Sequence, residues 1–220
     1  MLCSYRMQSY SQIDSEGNYF DTKLDTLFQK KESGFYIELG ANDGLDQSNT
    51  AFFEFYRGWT GLLIEPSPTA FQKCVQNRPK SICKQYACVS SDYVHPFVWG
   101  DFDGGMMSSI DGERTGKTKH ISVKATTLET LLNELNPSQI DFLSLDVEGN
   151  ELDVLKGINL QKHRPSYILV EVYNQEFESV ISFLSSQDYK LLENFSMYTK
   201  TRNPYWDGQA NDYLFKDVTI

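Results

Sequence analysis

The residues with the most chemical content follow one apolar run. Phe35–Leu39 (FYIEL) reads as a buried strand, and Glu38-Leu39-Gly40-Ala41-Asn42-Asp43-Gly44 places an acid and two glycines where it turns toward a helix, with Ser48 just beyond. A glycine pair between a strand and a helix is the setting of a nucleotide site. The order is not GxGxxG, so the turn lacks the arrangement that seats a pyrophosphate on a helix N-terminus, and an acid at position 38 repels phosphate. A cationic ligand fits better. Twenty-one positions after Gly44, Glu65 ends the next apolar run (TGLLIEP) ahead of Pro66, where a carboxylate can accept from both hydroxyls of a ribose. Together these signals describe an adenosine-type ligand carrying positive charge in place of phosphates. S-adenosylmethionine, with its sulfonium and α-ammonium groups, satisfies that description. A carboxylate about 4 Å from such a cation contributes ~4 kcal/mol at an effective dielectric of about 20, before desolvation. The competing reading is that Gly40 and Gly44 only permit a tight turn and that Glu65 is a surface acid.

Further carboxylates stand at the ends of two later apolar runs. Asp146-Val147-Glu148-Gly149-Asn150-Glu151 follows IDFLSL, and Glu171 stands at the end of SYILVEV, just before Val172. If the ligand is a methyl donor, an acceptor hydroxyl needs a base, which adds typically about 10²–10⁴ in rate. Glu148 is the first candidate, with Asp146, Glu171 and His120 behind it. Asp146 and Glu148 could equally cap the helix that starts near Gly149. Cofactor contacts are expected from Glu38, Gly40, Asn42, Asp43, Gly44, Ser48, Glu65, Pro66 and Asp146. A divalent metal on Asp146, Glu171 and Asn174 is conceivable because all offer hard oxygen ligands, but no ligand spacing demands one and no metal ligand is assigned. His95 and His163 read as plain surface or strand residues.

The elements that must position these groups alternate. Helical spacing over Asn49–Tyr56, Pro68–Asn77, Leu128–Leu135, Glu151–Lys156 and Gln175–Ser185 separates the apolar runs, with ICKQYACVS (82–90) as a third strand. Tyr189–Phe195 and Asp212–Phe215 lack a helix between them and predict a hairpin closing an otherwise parallel sheet. Such a series implies a three-layer α/β/α sandwich, a Rossmann-like arrangement with ligands at the strand carboxyl ends. Residues 1–34 read as a loop and one amphipathic helix, with Leu24, Leu27 and Phe28 on its apolar side, packing on a domain spanning 35–220. The glycine-rich stretch from about 90 to 125 reads as an insertion with short strands and a mobile loop, in which His120 is a candidate for a lid and Arg114, Lys117, Lys119 and Lys124 form a solvated face or meet an anionic acceptor.

The runs YIELGANDG, QSNT, GWTGLLIEPSP, NRP, TLETLL, IDFLSLDVEGNELDVLKGI and LVEVY resemble, in that order, the FkbM-type S-adenosylmethionine-dependent methyltransferases over roughly residues 35–173, with NDYLF as a weaker echo. The resemblance implies a Rossmann-like methyltransferase sheet and O-methylation of hydroxyls on sugars, polyketides and other natural products. Many members carry His where this chain has Asn150. A sugar or glycan hydroxyl is the expected acceptor, bordered by the loop Met197–Asn211 with Tyr198, Tyr205 and Trp206, and walled by Trp99 and Met106. A non-catalytic binding module of the same fold, which gains from Asn150, is the alternative, as is a non-sugar acceptor. A nicotinamide oxidoreductase ranks lower on the glycine order.

Composition narrows the partners. The 220 residues carry 20 Lys and Arg against 30 Asp and Glu, a net −10, which offers no general attraction to nucleic acid or anionic lipid. No apolar run reaches the ~20 residues of a membrane helix and the first residues lack a secretion-signal core, so the expectation is a cytoplasmic protein. Cys3, Cys74, Cys83 and Cys88 form no CxxC pair, and Cys83 and Cys88 would face opposite ways on one strand. Reduced, mostly buried thiols follow, with neither zinc nor a disulfide framework.

Overall fold

The computed structural model describes residues 7–100, 102, 121–204 and 206–219. In chain order the elements are α1 (Phe20–Leu27), β1 (Phe35–Leu39), α2 (Ala51–Tyr56), β2 (Thr60–Ile64), α3 (Pro68–Asn77), β3 (Ile82–Lys84), β4 (Ala87–Cys88), β5 (Phe97–Gly100), β6 (Ile121–Thr126), α4 (Leu128–Leu135), β7 (Ile140–Leu145), α5 (Glu151–Lys156), β8 (Pro165–Tyr173), α6 (Phe177–Ser186), β9 (Tyr189–Asn194) and β10 (Ala210–Asp217). Local chemistry sets several boundaries. Ser67 accepts from the Ala70 amide with Pro68 in the first turn of α3, Thr127 accepts from the Thr130 amide at the start of α4, and Asn136 in the left-handed region stops α4.

Seven strands form one sheet in the order β3-β2-β1-β7-β8-β10-β9. The first five run parallel, and β10 is antiparallel to both β8 and β9. Alternate side chains serve two cores. Ile37, Leu62, Leu143 and Ile168 pack with apolar residues of α4, α5 and α6, while Tyr36, Leu63, Phe142 and Leu169 pack with Phe20, Leu24, Phe53 and Trp59 on the other face. Burial on both faces explains why the strands read as continuous apolar runs rather than as alternations. The order reverses at β1, which pairs with both β2 and β7, and this opens a crevice above their carboxyl ends.

The run 82–90 is not one strand. β3 is the edge of the main sheet, whereas β4 pairs parallel with β6 in a three-stranded sheet completed by β5. The chain leaves at Gln85, whose Nε2 donates to the Pro66 carbonyl at 3.3 Å, because Ala87 and Val89 belong to a separate core with Val98, Phe102 and Val123. Cys83 and Cys88 therefore lie in different sheets.

One buried cation ties the layers together beneath the crevice. Arg78, 1% exposed, donates from Nε to Glu54 Oε2 at 3.0 Å, from Nη1 to the Gly44 carbonyl at 2.9 Å and Ser48 Oγ at 3.1 Å, and from Nη2 to Tyr36 Oη at 2.8 Å and Thr50 Oγ1 at 2.9 Å. Glu38 Oε2 lies 3.6 Å from Nη1. Burial opposes ionisation of Glu54, but hydrogen bonds from Ser81 and the charge of Arg78 outweigh it and hold its carboxyl below the usual range. Breaking such a pair from one side strands a buried charge. Arg78→Ala is expected to destabilise the fold by about 3–5 kcal/mol in denaturant titration.

Candidate active site at the carboxyl ends of the sheet

A cavity of roughly 310 Å³ opens above β1, β2 and β7, at the small end of the ~300–1,000 Å³ typical of ligand sites. Gly40 is its floor. Its φ is +77°, and a Cβ there would stand 1.8 Å from the Asp146 carbonyl oxygen, so the β1 turn presses against the end of β7 at a distance only glycine permits. Gly40 and Ala41 both donate to the Ile64 carbonyl, which clamps the turn to β2 as well.

Of the residues expected to contact a cofactor, Glu38, Gly40, Asn42, Ser48, Glu65, Pro66 and Asp146 line this cavity. Asp43 and Gly44 shape the turn instead. Asp43 Oδ1 accepts from the amides of Leu45 and Asp46, and Gly44, at φ +83°, packs on Cys74 and Arg78. Glu38 is on the wall, but its carboxylate is occupied by the protein: Oε2 accepts from Ser48 Oγ at 2.8 Å and Thr50 Oγ1 at 2.6 Å, and Oε1 from the Asn49 amide at 2.8 Å. Glu65 sits opposite, 6% exposed, with Oε2 accepting from the Asn42 amide and Oε1 from the Ser67 amide, each at 2.7 Å. Burial pushes its carboxyl up to about 7 against those two hydrogen bonds. Tyr86, Ala87, Cys88 and Phe102 supply an apolar wall beside it.

The other wall is acidic. Asp146, Glu148 and Glu171 all line the cavity. Burial first, then the charges of Glu148, Asp212 and Glu151, raise the Asp146 carboxyl well above its ordinary value, and Glu171 is raised likewise by burial and by Asp146. Asp212 pairs across the strands with Glu171 and is pushed by burial up to about 6. Glu171 Oε2 is buried and makes no hydrogen bond. Glu148 holds a left-handed backbone, φ +60°, and accepts from Tyr173 Oη at 3.2 Å.

The N-cap of α5 is Asn150, which makes no side-chain cap hydrogen bond. Glu151 does the neighbouring work, its Oε1 accepting from the Val147 and Gly149 amides at 3.0 Å. It also replaces Asn174 in the oxygen cluster: carboxylate atoms of Asp146, Glu151 and Glu171 lie within 4.8 Å of one another, whereas Asn174 is exposed and donates to the Gly208 carbonyl. Trp99 does not wall the cavity. It is 59% exposed, because on β5 it is Val98 and Gly100 that turn inward, and Phe102 takes the place expected of it. Tyr198 Oη donates to the Ile13 carbonyl and Trp206 Nε1 to the Ala210 carbonyl, so both hold chain segments rather than line the cavity. His163 is buried against Asn133 rather than on the surface. His120, Arg114, Lys117, Lys119, Met106 and Tyr205 lie outside the described residues.

Sequence reasoning missed Gln12, Gln47, Phe102 and Asn150 as lining residues. Gln12 arrives on a strap before α1, held by the Ser11–Gln47 bridge, the Ser15 amide on the Ser196 carbonyl and Lys23 on Asp14. No local pattern signals where the strap lies, since the contacts that bring it to the cavity, Ser11 with Gln47 and Ser15 with Ser196, are distant in the chain.

The sequence model of the family described as the methyltransferase FkbM domain matches residues 38–191, and the chain belongs to that family. No curated protein matches. Among solved structures, fibrillarin from Aeropyrum pernix, in complex with natively bound S-adenosyl-L-methionine, is similar at TM-score 0.52 and 12% identity, over 97% of this chain and 85% of its own. The precorrin-6y C5,15-methyltransferase from Geobacter metallireducens GS-15 is similar at TM-score 0.50 and 7% identity, over 96% and 93%. M. capricolum TrmK, in complex with S-adenosyl-homocysteine, is similar at TM-score 0.50 and 10% identity, over 97% and 70%. The fold is the Rossmann-like methyltransferase sandwich.

The raised carboxyls carry a sign for stability. The folded chain keeps protons on Asp146 and Glu171 that the unfolded chain releases above the ordinary values near 3.8 and 4.5, so stability falls as pH rises from there through neutrality. Glu171→Gln keeps the shape and removes the proton. It is expected to raise stability by about 1–3 kcal/mol at pH 8 and by little at pH 4, read from denaturation midpoints at both values.

Proposed function

We infer that this FkbM-family methyltransferase transfers a methyl group from S-adenosylmethionine to a hydroxyl of a sugar or glycan, in the cytoplasm. The observation that carries the reading is one cavity with a ribose-type acceptor, Glu65, on one side of a glycine floor and three carboxyl groups on the other. S-adenosylmethionine and its demethylated product in the fibrillarin and TrmK structures of the same fold support the cofactor. The residues fit it. Glu65 offers its remaining lone pairs to ribose hydroxyls, Gly40 leaves room where a Cβ would intrude, the apolar wall of Tyr86, Ala87, Cys88 and Phe102 suits a base, and the acidic side favours a cation. When bound, the cofactor supplies an electrophilic methyl group on a sulfonium centre.

The chain's own work is positioning and proton removal. Glu148, at the mouth of α5 and steadied by Tyr173, takes the acceptor's hydroxyl proton. Asp146 and Glu171, which favour their protonated forms, donate hydrogen bonds to neighbouring acceptor oxygens. Holding the hydroxyl in line accounts for much of the rate through proximity, up to about 7–11 kcal/mol. Residues Asp146, Glu151 and Glu171 are the oxygen set that would hold a divalent ion. A second reading, a binding module without catalysis, is favoured by Asn150 on the cavity wall.

Isothermal calorimetry is expected to show micromolar binding of S-adenosylhomocysteine to the wild type, and at least tenfold weaker binding to Glu65→Ala with unchanged circular dichroism. A wild type that does not bind overturns the cofactor assignment. Glycan and polyketide panels incubated with labelled donor are expected to gain a methyl group on a glycan, with turnover falling about 10²–10⁴-fold in Glu148→Gln. Labelling only in the polyketide panel moves the acceptor, and binding without labelling anywhere favours the module.

A further inference from the structure

Two cysteines that the methyl-transfer reading does not use stand side by side under the cofactor turn. Cys74 lies on α3 and is 1% exposed; Cys83 lies on β3, beside Leu63 of β2, and is half-buried. Their sulfurs are 3.7 Å apart, close enough to share a hydrogen bond. They are nine positions apart in the chain and on different elements, so the fold, and not a CxxC spacing, makes the pair.

The same half of α3 carries the floor of the cofactor turn. Asn77 Nδ2 donates to the Asp43 carbonyl at 2.9 Å and Arg78 Nη1 to the Gly44 carbonyl at 2.9 Å. A Cβ on Gly44 would stand 3.1 Å from Cys74 Sγ and 2.7 Å from Arg78 Cγ, so Gly44 rests directly on this sulfur and on the stem of the arginine. A disulfide requires about 2.05 Å between sulfurs. Reaching that length requires the sulfurs to approach, and whatever part of that movement Cys74 takes shifts it against Gly44 and against Asn77 and Arg78 at the same end of α3.

We propose that Cys74 and Cys83 are a reversible oxidation site, at which a hydroperoxide closes a disulfide that loosens the turn Gly40–Ser48. Cys83 reacts first, since it is the more accessible sulfur. Its thiol is also held below the usual value by the hydrogen bond from Cys74 and by the charge of Arg78, against burial. The Cys83 thiolate attacks one oxygen of the peroxide, the O–O bond breaks, and the alcohol or water half leaves with a proton. The Cys74 sulfur then attacks the Cys83 sulfenic sulfur, the S–O bond breaks, and the oxygen departs as water with the Cys74 proton. Two thiols give up two electrons and two protons, and the peroxide is reduced to an alcohol and water. Thiol exchange reverses the change.

The test rests on readouts that need no cofactor. Full-length protein treated with equimolar hydrogen peroxide is digested under non-reducing conditions and mapped by mass spectrometry, and its amide exchange is compared with that of the reduced protein. The expected result is a Cys74–Cys83 linked peptide, lost on adding dithiothreitol and absent from Cys74→Ser and Cys83→Ser, with amides of residues 42–49 exchanging at least threefold faster in the oxidised form. Sulfinic acid or mixed adducts at Cys83 without the linked peptide overturn the pair. A linked peptide with unchanged exchange in residues 42–49 overturns the coupling to the turn. Failure to bind S-adenosylhomocysteine would count against the cofactor and leaves both readouts intact.

Discussion

A guanidinium sealed inside the domain meets two buried acids, three hydroxyls and a turn carbonyl at once. Taking Arg78 out of water costs several kcal/mol, which only a full set of partners offsets. Glu54 at 3.0 Å and Glu38 at 3.6 Å supply the charge, and Tyr36, Ser48, Thr50 and Gly44 supply the remaining acceptors. Because those partners come from β1, the β1–α2 turn and α2, while Arg78 follows α3, the network makes one rigid body of everything beneath the cavity. Glu38 lines the cavity with its carboxylate already hydrogen-bonded to Ser48, Asn49 and Thr50. The wall it stands on is shaped by internal hydrogen bonds, and the acidity a cation would meet comes from the opposite side.

That opposite side is a second constraint, and it runs against stability. Leu145, the last residue of β7, pairs with Val170 of the parallel β8, so the residues that follow them, Asp146 and Glu171, converge, and the antiparallel return of β10 adds Asp212 beside them. Each carboxyl loses water and gains like-charged neighbours, and both effects favour its protonated form. No described basic side chain forms an ion pair with Asp146, Glu171 or Asp212. Raised carboxyls gathered in a cleft are a pattern that ligand sites commonly share.

Much of this was legible in the chain. The parallel strands appeared as apolar runs because both faces of the sheet are covered, and the helices between them showed in their apolar spacing, whereas the caps at Ser67 and Thr127 emerged only in the structure. The glycine turn and Glu65 were readable for the same reason: a left-handed φ and a strand-end acid leave a mark at one position. The run 82–90 misled because an apolar stretch says that a strand is buried but not in which sheet. Asn174 stood with Asp146 and Glu171 as an oxygen donor until the placing of β8 and α5 put Glu151 there instead, and Trp99 looked like a wall until the pleat of β5 sent it outward.

Sequence alone determined the order of elements, the layer architecture and the turn at Gly40–Gly44, since these follow from hydrophobic period and backbone sterics acting within a few residues. Tertiary structure alone decided which carboxylates face the cavity and which serve the frame, that Gln12 reaches the site on a strap, and that Cys74 meets Cys83. Those outcomes depend on groups far apart in the chain meeting across packed layers, where a shift of one strand register or one sheet edge changes every partner.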